Sequence, residues 1–412
     1  MDPLRDWIIS VDDHVIEPAH VWLDRLPRSY QDVAPRIVRD DRGEVWFYDD
    51  KRMATANLAA CMGKKVEDFT MDPITYEEMR PGCYDSKERL RDMDTDGVLA
   101  SLCFPSMPRF CGQTFYEAKD KDLAHLCVQA YNDWMIEEWA GADPGRFIPM
   151  IIIQLWDPAL AAAEIERCAA KGARAIAFSE NPGRLGLPTI HDPDRYWDPV
   201  LKATAETGTV INMHIGSSSF IPRPSEDSPA MAIQAWHAGS SQSGVLMDWL
   251  FSGVFMRIPN LTVALSEGGI GWIPYYLERA EQIYAKNKYW ASRMEVDLGM
   301  HSEGMRERSE PLPELDIHGM FRDHVYGCFI DDEHGVESLH RIGVDNVMME
   351  TDFPHSDSTW PNSLTKAHKA LAHLDADTRY KLMQGNARRV YRFEPDATSV
   401  SPQLVAGAGA SH

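Results

Sequence analysis

The chain has few of the features that mark a disulfide scaffold, a metal–cysteine site, a membrane span or a nucleic-acid binder. Its seven cysteines (61, 83, 103, 111, 127, 168 and 328) are odd in number and dispersed among 412 residues, with no Cys-x-x-Cys pair. That argues for reduced thiols and against zinc held by cysteine. No apolar run reaches the ~18 residues of a membrane span. The opening Met1-Asp2-Pro3-Leu4-Arg5-Asp6 lacks the basic-then-apolar order of a secretion signal, so a cytoplasmic protein without membrane contact is expected. Basic residues are scarce, 41 against 63 acids for a net charge of -22. No basic stripe offsets that balance, so nucleic acid is excluded as a natural partner. A small anion remains possible where a metal or local arginines supply positive charge. No Gly-x-Gly-x-x-Gly loop follows an apolar run, which weighs against a dinucleotide fold. No internal repeat is present.

What the chain does have is a regular alternation. Eight short apolar runs read as buried strands: Trp7 to Val11, Gly97 to Pro105, Arg146 to Ile153, Ala173 to Phe178, Thr209 to His214, Asn260 to Ser266, His324 to Ile330, and Asn346 to Glu350. Helical spacing follows or separates most of them, at 86–94, 115–140, 158–171, 197–207, 245–255, 272–290, 336–342 and about 363–392. Alternating strands and helices imply a parallel sheet with right-handed crossovers, and eight units make a (β/α)8 barrel the first expectation, ahead of an open doubly wound sheet. The expected organisation is one barrel domain over 1–393, with insertions at about 36–82 and 291–323 and a disordered tail at 394–412. Glu44 to Met53 reads as a β-hairpin with an acidic turn at Asp49-Asp50. The irregular stretches 54–82 and 291–323 are candidates for lids or dimer contacts, and a homodimer is the expected assembly. Residues 216–244, rich in Ser, Pro and Gly, read as a further loop excursion.

In such a barrel all strand C-termini open onto one face. There the first strand offers Asp12 and His14, two residues apart and therefore on one side, with Asp13 turned away and Glu17 beyond. The fourth strand offers Glu180, the fifth His214, the sixth Glu267, the seventh Asp331 and Glu333, and the eighth Asp352 with His355 beyond it. Singly, each acid could cap a helix. Gathered at one mouth, so many acids and imidazoles would repel unless a divalent cation held them. Arg109 and Phe110 after the second strand, with Trp236, His237 and Trp360 on other rim loops, suggest walls for a small aromatic or acidic substrate. Equally, these rings could pack the long loops.

Asp12-x-His14, His214 and Asp352 resemble the metal pattern of the amidohydrolase superfamily. The closer likeness is to the amidohydrolase-2 branch, with its aminocarboxymuconate semialdehyde decarboxylases and related hydrolases. Asp92 to Val98, Ser266 to Trp272, Asp352 to His355 and Gly385-Asn386-Ala387 support it over about 7–393. The resemblance implies a (β/α)8 barrel, a divalent metal (iron, manganese or zinc, one ion or two) and either hydrolysis or non-oxidative decarboxylation. It implies Asp12, His14, His214 and Asp352 as ligands, with Glu180 and Glu267 joining if a second ion is bound, and Asp352, Glu267 and His355 as proton-transfer groups. Two positions depart from the family. The first strand carries Asp-x-His where many members carry His-x-His, and the sixth carries Ser266-Glu267 where decarboxylase-type members place a histidine. On that second departure the expected reaction is hydrolysis of a carbonyl-type bond (amide, ester, thioester or activated C–C) by a metal-activated water. Decarboxylation of an unsaturated or aromatic acid is the alternative. A non-enzymatic metal-binding protein is the third reading, weakened by the cost of so dense a rim of acids.

Overall fold

Eight parallel strands form the centre of the molecule: β1 (Ile8–Val15), β2 (Val98–Pro105), β3 (Phe147–Ile148 and Met150–Ile151), β4 (Ala175–Ala177), β5 (Val210–His214), β6 (Val263–Ser266), β7 (Val325–Phe329) and β8 (Val347–Met349). They are seen in a computed structural model that describes residues 4–40, 43–291, 294–295, 306–307, 314–396, 398 and 400. Pairing runs in chain order. β1 pairs with β2 and β2 with the first half of β3. The second half of β3 pairs with β4, and β4 to β8 follow one another. β3 is split at Pro149, which has no N–H to give a ladder. The cylinder closes between β8 and β1 through two backbone bonds, Asp352 N–H to the Asp12 carbonyl at 2.9 Å and His14 N–H to the Phe353 carbonyl at 2.7 Å. The fold is thus the (β/α)8 barrel expected from the sequence.

The strands are apolar because they are covered on both faces, as in any parallel barrel. Every residue of β1 and of β2 is buried. Helices enter and leave on local signals. Asp85 accepts from the N–H groups of Lys87 and Glu88 to start Ser86–Asp96, and Gly97 at φ 73° ends it. Asp157 does the same for Pro158–Ala170, with proline in the first turn.

The insertion after β1 holds a three-stranded antiparallel sheet, Arg36–Asp40, Gly43–Tyr48 and Lys51–Ala54. Asp49 and Asp50 turn its second hairpin at φ 49° and 62°, as a two-residue turn matched to strand twist requires. Beyond it the chain crosses the barrel mouth and docks on the loop after β8, with Cys61 N–H on the Pro354 carbonyl and Ser356 N–H on the Leu58 carbonyl. All seven cysteines are buried free thiols. Among the described residues no helix is long and apolar enough to cross a membrane.

Three segments differ from expectation. Residues 230–244, expected within a loop, join residues 245–251 of the helix expected at 245–255 in one long helix, Ala230–Phe251. Its buried Gln242 donates to the carbonyls of Met213 and Ser266 and so ties the ends of β5 and β6. The stretch before β7, expected to be irregular, contains the helix Ile317–His324, capped by Asp316. The helix expected over 115–140 is broken into Gln113–Tyr116 and Lys121–Trp134, the latter continued by a π-helical turn over Met135–Trp139. Residues 292–293, 296–305 and 308–313 of the expected 291–323 insertion lie outside the described residues. So do 397, 399 and 401–412 of the expected tail.

Candidate metal centre

β1 delivers Asp12 and His14 to the mouth of the barrel, both completely buried. The ladder with β2 slips between Ser10 and Asp13, and the intervening Asp13 faces away, as the alternation of a strand demands. Its carboxylate accepts from the Ser10 hydroxyl at 3.0 Å, the Thr351 hydroxyl at 2.7 Å and the Phe353 N–H at 3.0 Å, and also from the Ser101 hydroxyl. Asp13 therefore fastens β1 to β2 on one side and to the loop after β8 on the other.

Across the mouth, His214 ends β5 and Asp352 follows β8. His14 Nε2 lies 3.0 Å from Asp352 Oδ1 and 3.5 Å from Asp12 Oδ1. His214 Nε2 lies 3.6 Å from Asp12 Oδ2 and 3.0 Å from Glu267 Oε2. His355 stacks on His14 with ring centroids 3.5 Å apart and places Nδ1 3.3 Å from Asp352 Oδ1. Asp12, His14 and His214 converge within 4.8 Å, as do His14, Asp352 and His355. Asp352 and Glu267 are both held at positive φ, 53° and 56°, a backbone state non-glycine residues rarely adopt and one concentrated at functional sites.

These groups fit a divalent cation on internal grounds. Both oxygens of Asp12, both of Asp352, both ring nitrogens of His14 and Nε2 of His214 are buried without a hydrogen-bond partner. The other nitrogen of His214, Nδ1, stands 2.6 Å from the Ile215 carbonyl. A carbonyl can only accept, so Nδ1 carries the proton and the neutral ring turns the Nε2 lone pair toward the carboxylates of Asp12 and Glu267. Acceptors facing acceptors in a water-excluded space are costly unless a cation joins them. An imidazole whose second nitrogen is fixed by a carbonyl is the usual form of a ligand histidine. The mixed carboxylate and imidazole donors suit manganese, iron or zinc.

The electrostatics carry the same message. Burial, and then the charges of Glu350 and Asp352, push Asp12 well above the usual carboxylate range. Burial lowers His14 well below an ordinary imidazole and His214 to about 3. Burial and Asp352 raise Glu267. For Asp352 burial acts upward too, but His355 and His14 outweigh it and hold the carboxyl low.

Not every residue singled out in the sequence joins this group. Glu180 lies outside both convergent sets. Its Oε1 accepts from Gly216 N–H at 2.9 Å, Ser218 N–H at 3.4 Å and the Ser218 hydroxyl at 2.8 Å, and only Oε2 lacks a partner. Asp331 and Glu333 are exposed. Between them Asp332 accepts from the N–H groups of Ile270, Gly271 and Gly335. Arg109 is not a free cation, since its guanidinium donates to Glu117 Oε1 at 2.7 Å and to the Ser219 hydroxyl. Trp360 packs the loops, under the guanidinium of Arg80 and edge-on to Phe353, with its N–H on the Asp92 carbonyl. Trp236 is half exposed. His237 is buried with Nε2 unpartnered. Phe110 lies flat on His214, centroids 4.1 Å apart, and Phe104 meets the same ring edge-on at 5.0 Å.

Sequence reasoning missed Glu350 and Phe104. Glu350, 1 % exposed, follows β8 directly, accepts the Glu267 N–H on Oε2 at 3.2 Å and leaves Oε1 without a partner. The signal was available: Glu350 and Asp352 repeat the i, i+2 spacing of Asp12 and His14.

Comparison with known proteins agrees with this architecture. The family described as Amidohydrolase matches residues 18–393. The gamma-resorcylate decarboxylase of Polaromonas sp. (strain JS666) is 25 % identical over 340 residues, 77 % of this chain and 91 % of that protein. An amidohydrolase of Mycobacterium avium subsp. paratuberculosis superposes with a TM-score of 0.69 at 18 % identity, covering 93 % of this chain and 99 % of that one. The 5-carboxyvanillate decarboxylase of Novosphingobium aromaticivorans, solved with manganese and 4-hydroxy-3-methoxy-5-nitrobenzoic acid, gives 0.63 at 18 % identity, covering 94 % and 96 %.

Proposed function

The chain belongs to the amidohydrolase family, and from that premise we propose that it is a metal-dependent, non-oxidative decarboxylase of an aromatic carboxylic acid. The observation that carries the proposal is the set of unpartnered acceptors on Asp12, His14, His214 and Asp352, two of whose members, His14 and His214, meet the rings of Phe104 and Phe110. The expectation of hydrolysis gives way to this reading for two reasons. The curated relatives at 25 % and 24 % identity are decarboxylases of an aromatic acid. And burial with the Asp352 charge raises the pKa of Glu267, the direction that suits a proton donor rather than the base that hydrolysis would ask of it.

Asp12, His14, His214 and Asp352 would hold the ion, which when bound supplies positive charge to a substrate carboxylate and its neighbouring oxygen. Phe104 and Phe110, packed on His214, would give the substrate ring an apolar wall beside the ion, where electrostatic terms are strongest. His355, stacked on His14 and paired with Asp352, orients both. The reaction breaks the bond between ring and carboxylate. Carbon dioxide leaves, the electron pair stays on the ring carbon, and that carbon takes the proton from the Glu267 carboxyl. Glu267 keeps 19 % side-chain exposure and His355 17 %, while Asp12 and His14 keep none, so Glu267 is a carboxyl of the group that water can reprotonate.

The test is incubation of manganese-loaded protein with carboxyl-labelled hydroxybenzoates in heavy water. Release of labelled carbon dioxide, with one deuterium placed at the vacated ring carbon, is the expected result. Release of two hydrolysis fragments from an ester or lactone, without carbon dioxide from any aromatic acid, would restore hydrolysis as the activity.

A further inference from the structure

Glu17 has no place in the metal centre, yet it is a completely buried acid. Its carboxylate is fully engaged. Oε1 accepts the Ser106 N–H at 3.0 Å and Oε2 the Met107 N–H at 2.8 Å. Its carbonyl accepts the Tyr76 hydroxyl at 2.5 Å, which ties the same residue to the insertion over the barrel mouth. Ser106 and Met107 open the loop after β2. That loop folds back with Arg109 N–H on the Ser106 carbonyl, and Arg109 takes φ 63°. The next residue is Phe110, laid on His214 with 11° between the ring planes. The room for it is made by Gly216, where a Cβ would come within 3.3 Å of the Phe110 ring. The path from Glu17 to the His214 ring is therefore short: two consecutive backbone N–H groups, one reversed turn, one ring.

We propose that Glu17 is a positioning residue that holds Phe110 flat against His214 and thereby places the aromatic wall that a flat aromatic acid meets beside that ligand. This rests on the decarboxylase reading above. A carboxylate accepting two successive N–H groups makes two charge-assisted bonds, each stronger than a neutral one. A glutamine keeps the shape but offers one oxygen and sets its NH2 against the second N–H. A loop held by one bond lets Phe110 drift. Phe110 touches the substrate ring equally in the ground and transition states, so its drift weakens uniform binding and appears in KM rather than in kcat.

The experiment compares Glu17→Gln, Phe110→Ala and the double variant, as full-length manganese-loaded protein at pH 8, on the hydroxybenzoate that the wild type turns over best. Expected for Glu17→Gln is a KM about tenfold higher with kcat within about threefold, and with manganese content unchanged. The double variant should show no higher KM than Phe110→Ala alone, because the two act through one contact. Glu17→Asp serves if the glutamine variant does not fold, and should show the same split in smaller degree. Effects that multiply in the double variant, or a fall in kcat at constant KM, overturn the inference while leaving the decarboxylase reading intact. A wild type that turns over no aromatic acid removes that reading, and this inference with it.

Discussion

Two sets of carboxylates stand on one rim and differ in whether donors of the surrounding loops and strands meet them. Asp13, Glu17 and Asp332 each accept two or more hydrogen bonds, chiefly from N–H groups of loops that follow other strands. Asp12 and Asp352 accept none on their side chains. The first set ties loops to strand ends and holds the mouth in shape. The second is left for a cation. Adjacent residues fall on opposite sides of the division: Asp12 is orphaned and Asp13 satisfied. Acidity at a strand end thus says little about role until the donors are known.

The largest break in this comparison comes from converting an orphan. Asp12→Asn removes one charge that only a cation can balance, so manganese content of the purified protein should fall below half an equivalent. Activity should fall by at least about 100-fold, since even partners one shell removed cost 10–100-fold. In chelator-treated protein the same substitution should raise the melting temperature, because it deletes a repelling buried charge. A metal-free variant less stable than the metal-free wild type would mean that Asp12 has a donor after all.

Next in size is a pH effect that the ion should reduce at the acids around it. Burial raises Asp12, Glu267 and Glu350 above their ordinary values. A carboxyl raised in the fold binds its proton more tightly there than in the unfolded chain. Its contribution to stability is complete below its ordinary pKa of about 4 and is lost as pH rises toward the raised value. Chelated protein should therefore lose more stability from pH 5 to pH 8 than manganese-loaded protein, while Glu17, pushed up to about 7 by burial, contributes the same fall to both. Denaturant midpoints across that range, with and without chelator, make the measurement. Parallel curves would show that no ion compensates these acids.

How much of this was legible in the sequence follows from where each signal resides. Apolar runs of five to nine residues marked all eight strands, because a parallel barrel buries both faces and needs no alternation. Asp12, His14, His214 and Asp352 stood out because each ends or follows such a run. The helix Ala230–Phe251 was hidden over residues 230–244. It carries one charged residue, Asp248, and two glycines, so propensity argued against it, while Gln242 on the carbonyls of Met213 and Ser266 holds it from outside. The split among the rim acids was equally hidden, for a physical reason: the donors to Glu17 and Asp332 are backbone N–H groups, which every residue but proline possesses and no side chain announces, and those to Asp13 include the hydroxyls of Ser101 and Thr351.

A smaller effect should come from converting a satisfied acid. Asp332→Ala leaves the N–H groups of Ile270 and Gly271 without their acceptor at 2.7 Å each. Bonds to a charged acceptor contribute about 1.5–3 kcal/mol each, with water recovering part, so a loss of about 2–3 kcal/mol in unfolding free energy is expected. Manganese stoichiometry should stay as in the wild type. A fall in bound metal would move Asp332 into the other set.

The smallest expected effect tests the one acid that stands between the sets. Glu180 gives Oε1 to Gly216 and Ser218, like the loop-tying acids, and keeps Oε2 without a partner, like the orphans. If its task is the loop after β5, Glu180→Gln keeps an acceptor oxygen for Gly216 and Ser218. Stability should then drop by no more than about 1 kcal/mol, with bound manganese unchanged by elemental analysis. If instead it bridges a second ion, stoichiometry should fall from two equivalents to one. The geometry favours the first outcome. Oε1 already serves the turn that follows His214, the turn whose Ile215 carbonyl fixes the tautomer of that ring, and a bridging carboxylate would have to release that oxygen. The metal count in this one variant decides whether the centre holds one ion in a single acceptor set or extends toward β4.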